Sequence, residues 1–135
     1  MIFVTRRAHF SAAHRLYNPN LSEEKNYELF DQCTNPHGHG HNYFIEVTIA
    51  GTPNPETGYV IDLKKLKKII NKHFIDKVDH KHLNIDVDFL NDIIPTAENI
   101  AIACWQQLQP HIHDGTLYSV KLFETENNFV EYRGE

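Results

Sequence analysis

The chain has 135 residues, room for one domain, and its 41% hydrophobic and 23% charged content excludes collagen-like, disordered and membrane-spanning classes. A net charge of −5 without a long basic run argues against a general nucleic-acid binder, and two cysteines are too few for a stapled secreted scaffold. Ten histidines are the departure from ordinary composition, in a side chain that is the commonest metal ligand and titrates near neutrality.

The opening residues MIFVTRRAHF lack the apolar core and cleavage site of a secretory leader, and no stretch reaches the roughly 18 apolar residues of a membrane span. A cytoplasmic protein without membrane association is therefore expected. Residues 2–10 read as extended, with Ile2 and Val4 on one face. Residues 15–36 are polar and carry Pro19 and Pro36, so they read as a long loop with a helical turn near Glu23–Phe30. Long insertions in small domains tend to serve function.

Residues 42–50 alternate, with Tyr43, Ile45, Val47 and Ile49 on one side, as a half-buried strand requires. The turn-rich run 51–58 leads to Tyr59–Ile61, read as a returning strand of a long-looped hairpin. Asp62 is placed to cap a helix reaching about Phe74, with Leu63, Leu66, Ile69, Ile70 and Phe74 inward and Lys64, Lys65, Lys67 and Lys68 on a solvated face. A second helix spans about Ala97–Leu108, with Thr96 as its cap and Ala97, Ile100, Ala101, Cys104, Trp105 and Leu108 buried. Residues 117–124 and 129–133 are strands joined by Glu126-Asn127-Asn128. The expected fold is α+β, a four-stranded antiparallel sheet with two helices on one face. Such a sheet leaves two open edges, so association through them is expected.

The densest chemical signal is His37-Gly38-His39-Gly40-His41 running into a strand. Extended backbone points residues two apart in one direction, so His39 and His41 can converge on one ion, with His37 able to replace either. Glycine lets the backbone approach closely. His14, closing Phe10-Ser-Ala-Ala-His14, is the best third ligand, and three imidazoles leave tetrahedral Zn²⁺ an open fourth position, the catalytic arrangement. A surface histidine run would give the same local pattern.

Cys33, in the polar loop, can serve as a thiolate base, as a fourth zinc ligand or as an idle thiol. Asp79-His80 follows the first helix, where a carboxylate can fix an imidazole for proton transfer, although adjacent residues need not touch. Glu124 ends the row Tyr118, Val120, Leu122, so it is either frayed into solvent or placed to accept hydrogen bonds from a ligand. Glu98 suits the first turn of a helix by charge alone. His9, His73, His111 and His113 read as surface residues.

FSAAHRLY (10–17), CTNPHGHGHNY (33–43), PETGYVIDLKKLK (55–67), DHKHLN (79–84), PTAEN (95–99) and FETENNFVEYRGE (123–135) together resemble the 6-pyruvoyltetrahydropterin synthase family, whose relatives include 6-carboxytetrahydropterin synthase. The resemblance implies the tunnelling fold, in which three sheets join into a barrel and two trimers form a hexamer with sites between subunits. It implies zinc on His14, His39 and His41, and a catalytic Cys33 with Asp79 and His80 as its proton-transfer partners. It also implies a pterin anchored by Glu124, with Thr96 and Glu98 in the neighbouring segment, and places His37 outside the metal set. The implied substrate is 7,8-dihydroneopterin triphosphate, converted without nicotinamide or flavin. Arg6, Arg7, Arg15, Lys121 and Arg133 are the candidates to meet its triphosphate. Five residues separate Cys33 from His39, a spacing similar to that of pyruvoyl-forming rather than carboxy-forming members. The readings left beside it are the carboxy-forming synthase of queuosine synthesis and a non-catalytic zinc module closed by Cys33.

Overall fold

The two clearest runs of alternating residues become the two longest strands. In the computed structural model, which describes residues 1–135, β1 spans Ile2–His14 and β2 spans His39–Gly51. They pair antiparallel from Ile2 opposite Gly51 to His14 opposite His39. Both strands outrun the expected bounds, and the extra residues carry the histidines.

The sheet has five strands rather than the expected four, in the order β3-β1-β2-β4-β5. The addition, β3, is only Lys81–His82 and runs parallel to β1 at Ala12 and Ala13. His80 N–H donates to the Ser11 carbonyl (2.6 Å) and Leu83 N–H to the Ala13 carbonyl (2.8 Å), which holds the returning chain against the edge of β1. Two residues have no period to read, so a strand this short leaves no local trace. β4 spans Thr116–Thr125 and β5 spans Asn128–Tyr132, paired as the expected hairpin. Tyr59–Ile61, expected to be a strand, joins no ladder, its Tyr59 carbonyl accepting only a local bond from Asn54 N–H (3.0 Å). Val60 and Ile61 are nonetheless buried, so their apolar character reflects the core and not a ladder.

Within the 15–36 segment, α1 forms over Glu23–Phe30, with Ser22 Oγ accepting from Lys25 N–H (3.0 Å). Next comes α2 at Leu63–Ile70, capped by Asp62, which accepts from Lys64 N–H (2.9 Å). It widens into π-type turns over Asn71–Ile75 and closes with one turn at Asp76–Val78. Leu66, Ile70 and Phe74 are buried as expected, but Leu63 is 51% exposed, lining a surface cavity with Ile2 and Tyr59. The last helix, α3, occupies Ala97–Leu108, and Thr96 Oγ1 accepts from Asn99 N–H (3.2 Å). Both the bounds and the cap agree with the sequence reading.

The strands bury one face under the helices. Phe10, Tyr43, Ile45, Val47 and Ile49 meet Phe74, Ile100 and Leu108, all fully buried. Phe10 stacks on Tyr43 at 4.7 Å and meets Phe74 edge-on at 5.5 Å. A bulge opposite Thr48 and Ile49 leaves Tyr118 as the extra residue of β4. It turns Leu117 and Ser119 inward and Tyr118 outward, against the expected even-numbered row. Beyond the bulge Val120 and Leu122 are buried, and Glu124 keeps their side of the strand. No helix is long and apolar enough to cross a membrane.

Phe74→Ala is expected to lower the unfolding free energy by about 3–5 kcal/mol, the usual cost of emptying a large aromatic site. Urea denaturation followed by circular dichroism measures it. A loss under about 1 kcal/mol would mean that α2 does not depend on this contact.

Candidate functional site

Register alone sets up the centre. His14 ends β1 opposite His39, the first residue of β2, and His41 lies opposite Ala12. Alternation then places His14, His39 and His41 on the helix-covered face, above Tyr43. One ring nitrogen from each histidine lies within 4.8 Å of the other two. The set can hold a metal ion.

The chemistry of the donors fits that use. Nδ1 of buried His14 lies 2.8 Å from the Pro95 carbonyl. A carbonyl can only accept, so the proton is on Nδ1 and the Nε2 lone pair is free. That Nε2 stands 3.1 Å from His39 Nε2. Two nitrogens bound tetrahedrally to zinc at ~2.0–2.1 Å would stand about 3.3 Å apart. His41 Nε2 is buried and has no hydrogen-bond partner, its nearest carboxylate oxygen, on Glu124, being 3.7 Å away. That separation is too long for a hydrogen bond, and a buried imidazole nitrogen left this way needs an acceptor of its lone pair. Burial lowers the pKa of His14 and of His41, while the Glu124 carboxylate raises both in opposition. Burial prevails. Neutral imidazole is the form that binds metal.

Of the two glycines in the histidine motif, only Gly38 is demanded by the geometry. Its φ is +75°, and a Cβ there would come within 2.8 Å of the His14 carbonyl and 3.1 Å of His82 Nε2. At Gly40 the nearest atom to such a Cβ is 3.7 Å away, ordinary contact. His37 is exposed and does not belong to the cluster.

Cys33 sits in a short 3₁₀ turn, Asp31–Thr34, rather than in open loop, and is half-buried. Leu16 N–H donates to the Cys33 carbonyl (2.8 Å) and Arg15 Nε to the Thr34 carbonyl (2.8 Å). These two bonds clamp the turn against the chain just past His14. The thiol is not one of the converging donors. Cys104 is wholly buried in α3, and burial pushes its thiol far up, as expected of a core residue.

Glu124, Thr96 and Glu98 line one cavity of about 370 Å³, together with Leu16 and Phe129. Thr96 and Glu98 come from the start of α3 and Glu124 from the end of β4, so only the fold unites them. The size suits a small organic ligand. Glu98 is exposed at its rim, and Glu124 is half-buried at its boundary with His41.

Asp79 and His80 do touch, with Oδ1 3.0 Å from His80 Nδ1. Ser11 N–H donates to the same Oδ1 at 2.9 Å. That backbone hydrogen bond, and then His80, hold the Asp79 carboxyl below the usual carboxylate range, so it stays ionised near neutral pH. His80 has φ +60°, a conformation uncommon outside glycine, and its side chain is 83% exposed. His80, at the β1 edge, shares with His41 an open groove of about 500 Å³, and Asp79 stands behind it.

Several supports had no sequence signal. The Pro95 carbonyl, the Ser11 N–H and the Cys33 carbonyl are backbone groups whose roles depend on what folds against them. Tyr43 was legible only as a core residue, yet its hydroxyl lies 3.2 Å from His14 Nδ1. Burial raises its pKa well above the ordinary phenol value, so it remains protonated.

The family model described as "6-pyruvoyl tetrahydropterin synthase" matches residues 3–135. The chain is 48% identical over 132 residues to the "6-pyruvoyl tetrahydrobiopterin synthase" of Homo sapiens, covering 98% of this chain and 91% of that one. The solved 6-pyruvoyl tetrahydropterin synthase of Caenorhabditis elegans superposes with a TM-score of 0.94 at 40% identity, covering 99% of this chain and 96% of that one. The "6-carboxy-5,6,7,8-tetrahydropterin synthase" of Rickettsia bellii is 30% identical over 150 residues, covering 97% of this chain and 99% of the relative.

Proposed function

The chain belongs to the 6-pyruvoyl tetrahydropterin synthase family, and from that premise we propose that it is a zinc-dependent 6-pyruvoyltetrahydropterin synthase. It would be a lyase converting 7,8-dihydroneopterin triphosphate to 6-pyruvoyltetrahydropterin with loss of triphosphate. The observation that carries this reading is three histidine nitrogens within 4.8 Å of one another, beside a ligand-sized cavity that a carboxylate enters.

His14, His39 and His41 hold the metal, and the absence of Cys33 from the donor set supports an open position over a closed structural site. Bound zinc supplies a Lewis acid toward the side-chain oxygens of the substrate. Glu124 accepts two N–H bonds from the amino-pyrimidine edge of the pterin, with Thr96 and Glu98 flanking it. Cys33 as thiolate takes a proton from the substrate side chain. His80, oriented and charge-supported by Asp79, carries protons on and off. The electrons released at one side-chain carbon reduce the pterin ring, so no redox cofactor is needed.

The pyruvoyl product is favoured over the carboxy product by the Cys33–His39 spacing and by the 48% likeness to the human pyruvoyl-forming relative, against 30% for the carboxy-forming one. β1 is covered by β3 only at Ala12 and Ala13, and β5 ends the sheet. These free edges support joining of three sheets into a barrel and of two trimers into a hexamer, which would set the exposed His80, held by Asp79, against a neighbour. We place the enzyme in the cytoplasm.

Zinc-loaded protein incubated with dihydroneopterin triphosphate, followed by mass analysis, should yield the pyruvoyl pterin. A carboxy pterin with acetaldehyde would move the chain to the queuosine branch, and no turnover would remove both readings.

Asp79→Asn keeps an acceptor for Ser11 N–H but removes the charge beside His80. We expect kcat to fall by about 10²-fold with KM and zinc content unchanged, in keeping with loss of general acid–base assistance. An unchanged kcat would exclude the pair from the chemistry.

A further inference from the structure

Three of the five basic candidates for an anionic tail are engaged elsewhere. Arg7 lies 3.9 Å from Glu46 and over the Phe44 ring, Arg133 pairs with Glu131 at 3.2 Å, and Lys121 lies over Phe129. Arg6 has no such partner, but it lies midway along β1, opposite Val47 and eight residues before His14, with its Nε buried. Arg15 is different. It directly follows His14, its Nε is tied to the Thr34 carbonyl at 2.8 Å, and its guanidinium lies 4.0 Å from the Tyr17 ring, with no carboxylate paired to it.

Arg15, Tyr17, Thr34 and Asn35 line a cavity of about 250 Å³. Thr34 is only 8% exposed, yet its Oγ1 is buried with no hydrogen-bond partner. A buried hydroxyl unsatisfied by its own fold is uncommon and costs stability unless a ligand completes it. An anchored guanidinium with its terminal N–H groups free is a fork shaped for phosphate oxygens. Thr34 follows Cys33 in the same 3₁₀ turn, and Arg15 follows His14, so the chain leads from the proposed centre into this cavity. Glu23 lines the same cavity without pairing with Arg15, and its carboxylate opposes an anion there.

We propose that this cavity is a phosphate subsite, in which Arg15 and the Thr34 hydroxyl donate to the triphosphate tail of the substrate. The assignment rests on the proposed synthase reading and adds to it the residues that distinguish a phosphorylated from an unphosphorylated pterin. Glu23 limits the affinity and eases departure of the triphosphate.

The test compares wild type with Arg15→Gln, Thr34→Val and Glu23→Gln. It measures KM and kcat for dihydroneopterin triphosphate, and by fluorescence the Kd of phosphate-free 7,8-dihydroneopterin. Arg15→Gln should raise KM roughly 10- to 100-fold, the worth of charge-assisted hydrogen bonds, and Thr34→Val several-fold. Both should leave the Kd of dihydroneopterin within about twofold. Glu23→Gln should lower KM, a sign that a merely structural role would not give. Equal losses for both ligands in Arg15→Gln, or an unchanged KM, would overturn the subsite while wild-type turnover left the synthase reading standing. A wild type that neither turns over the triphosphate nor binds it more tightly than dihydroneopterin would overturn both.

Discussion

His39→Ala is expected to leave a folded protein that no longer holds zinc and no longer turns over substrate. His39 is half-buried at the first position of β2, and its Nε2 stands 3.1 Å from that of His14. Removing it leaves His14 and His41, whose lone pairs cannot close a three-donor site. Loss of a group that only orients a metal ligand already costs about 10–100-fold in affinity, so loss of a ligand should exceed roughly 100-fold. The fold should survive, because Phe10, Tyr43 and the residues packed on them form the core without His39. Metal analysis after dialysis, chelator competition and far-ultraviolet circular dichroism report the three quantities separately. Stoichiometric zinc with normal turnover would remove His39 from the centre. Unfolding of wild type on chelation would instead indicate a structural zinc, the non-catalytic module.

Cys33→Ala is expected to do the reverse for metal and the same for turnover. The thiol is not among the converging donors, so zinc content should stay at the wild-type value. The backbone bonds from Leu16 and Arg15 that hold the turn use the Cys33 and Thr34 carbonyls, which alanine retains, so the turn should keep its place. What is lost is the proposed base. A positioned proton acceptor contributes about 10²–10⁴-fold, and kcat should fall by that order while KM changes little. Should the variant lose its zinc, Cys33 would be a ligand and the proton-transfer role would fall to another group.

These two variants separate two residues that look alike in sequence, both being potential ligands in one short segment. The distinction is tertiary. His39 lies in a strand whose register is set by the long pairing with β1, so its side chain must point where those of His41 and Tyr43 point. Cys33 lies in a turn whose direction depends on two hydrogen bonds to the chain beyond His14. Periodicity can orient the first and says nothing about the second.

The same division runs through the fold. The limits and cap of α3, the start of α2 at Asp62 and the alternation of β2 were legible, because each is decided within about four residues by backbone hydrogen bonding, capping and side-chain period. The two-residue strand β3, the bulge at Tyr118 and the unpaired course of Tyr59–Ile61 were not, because each is decided by a partner distant in the chain. Apolar content at Val60 and Ile61 reports burial, and burial alone does not separate a strand from a packed loop.

By itself, then, the sequence determined which chemistry was available: three imidazoles, a thiol, a carboxylate–imidazole dipeptide and a carboxylate closing an apolar row, on elements of definite type. Tertiary structure decided which of these meet. It brought His14 to His39 through strand register, locked the His14 tautomer with the Pro95 carbonyl, and left His41 Nε2 buried without a partner. It also set Glu124 in one cavity with the start of α3, and Thr34 in another with Arg15. The physical reason is range. Side-chain chemistry and local period are properties of neighbouring residues, whereas a site is a set of distances between strangers in sequence, fixed only when a shared core holds their backbones in register.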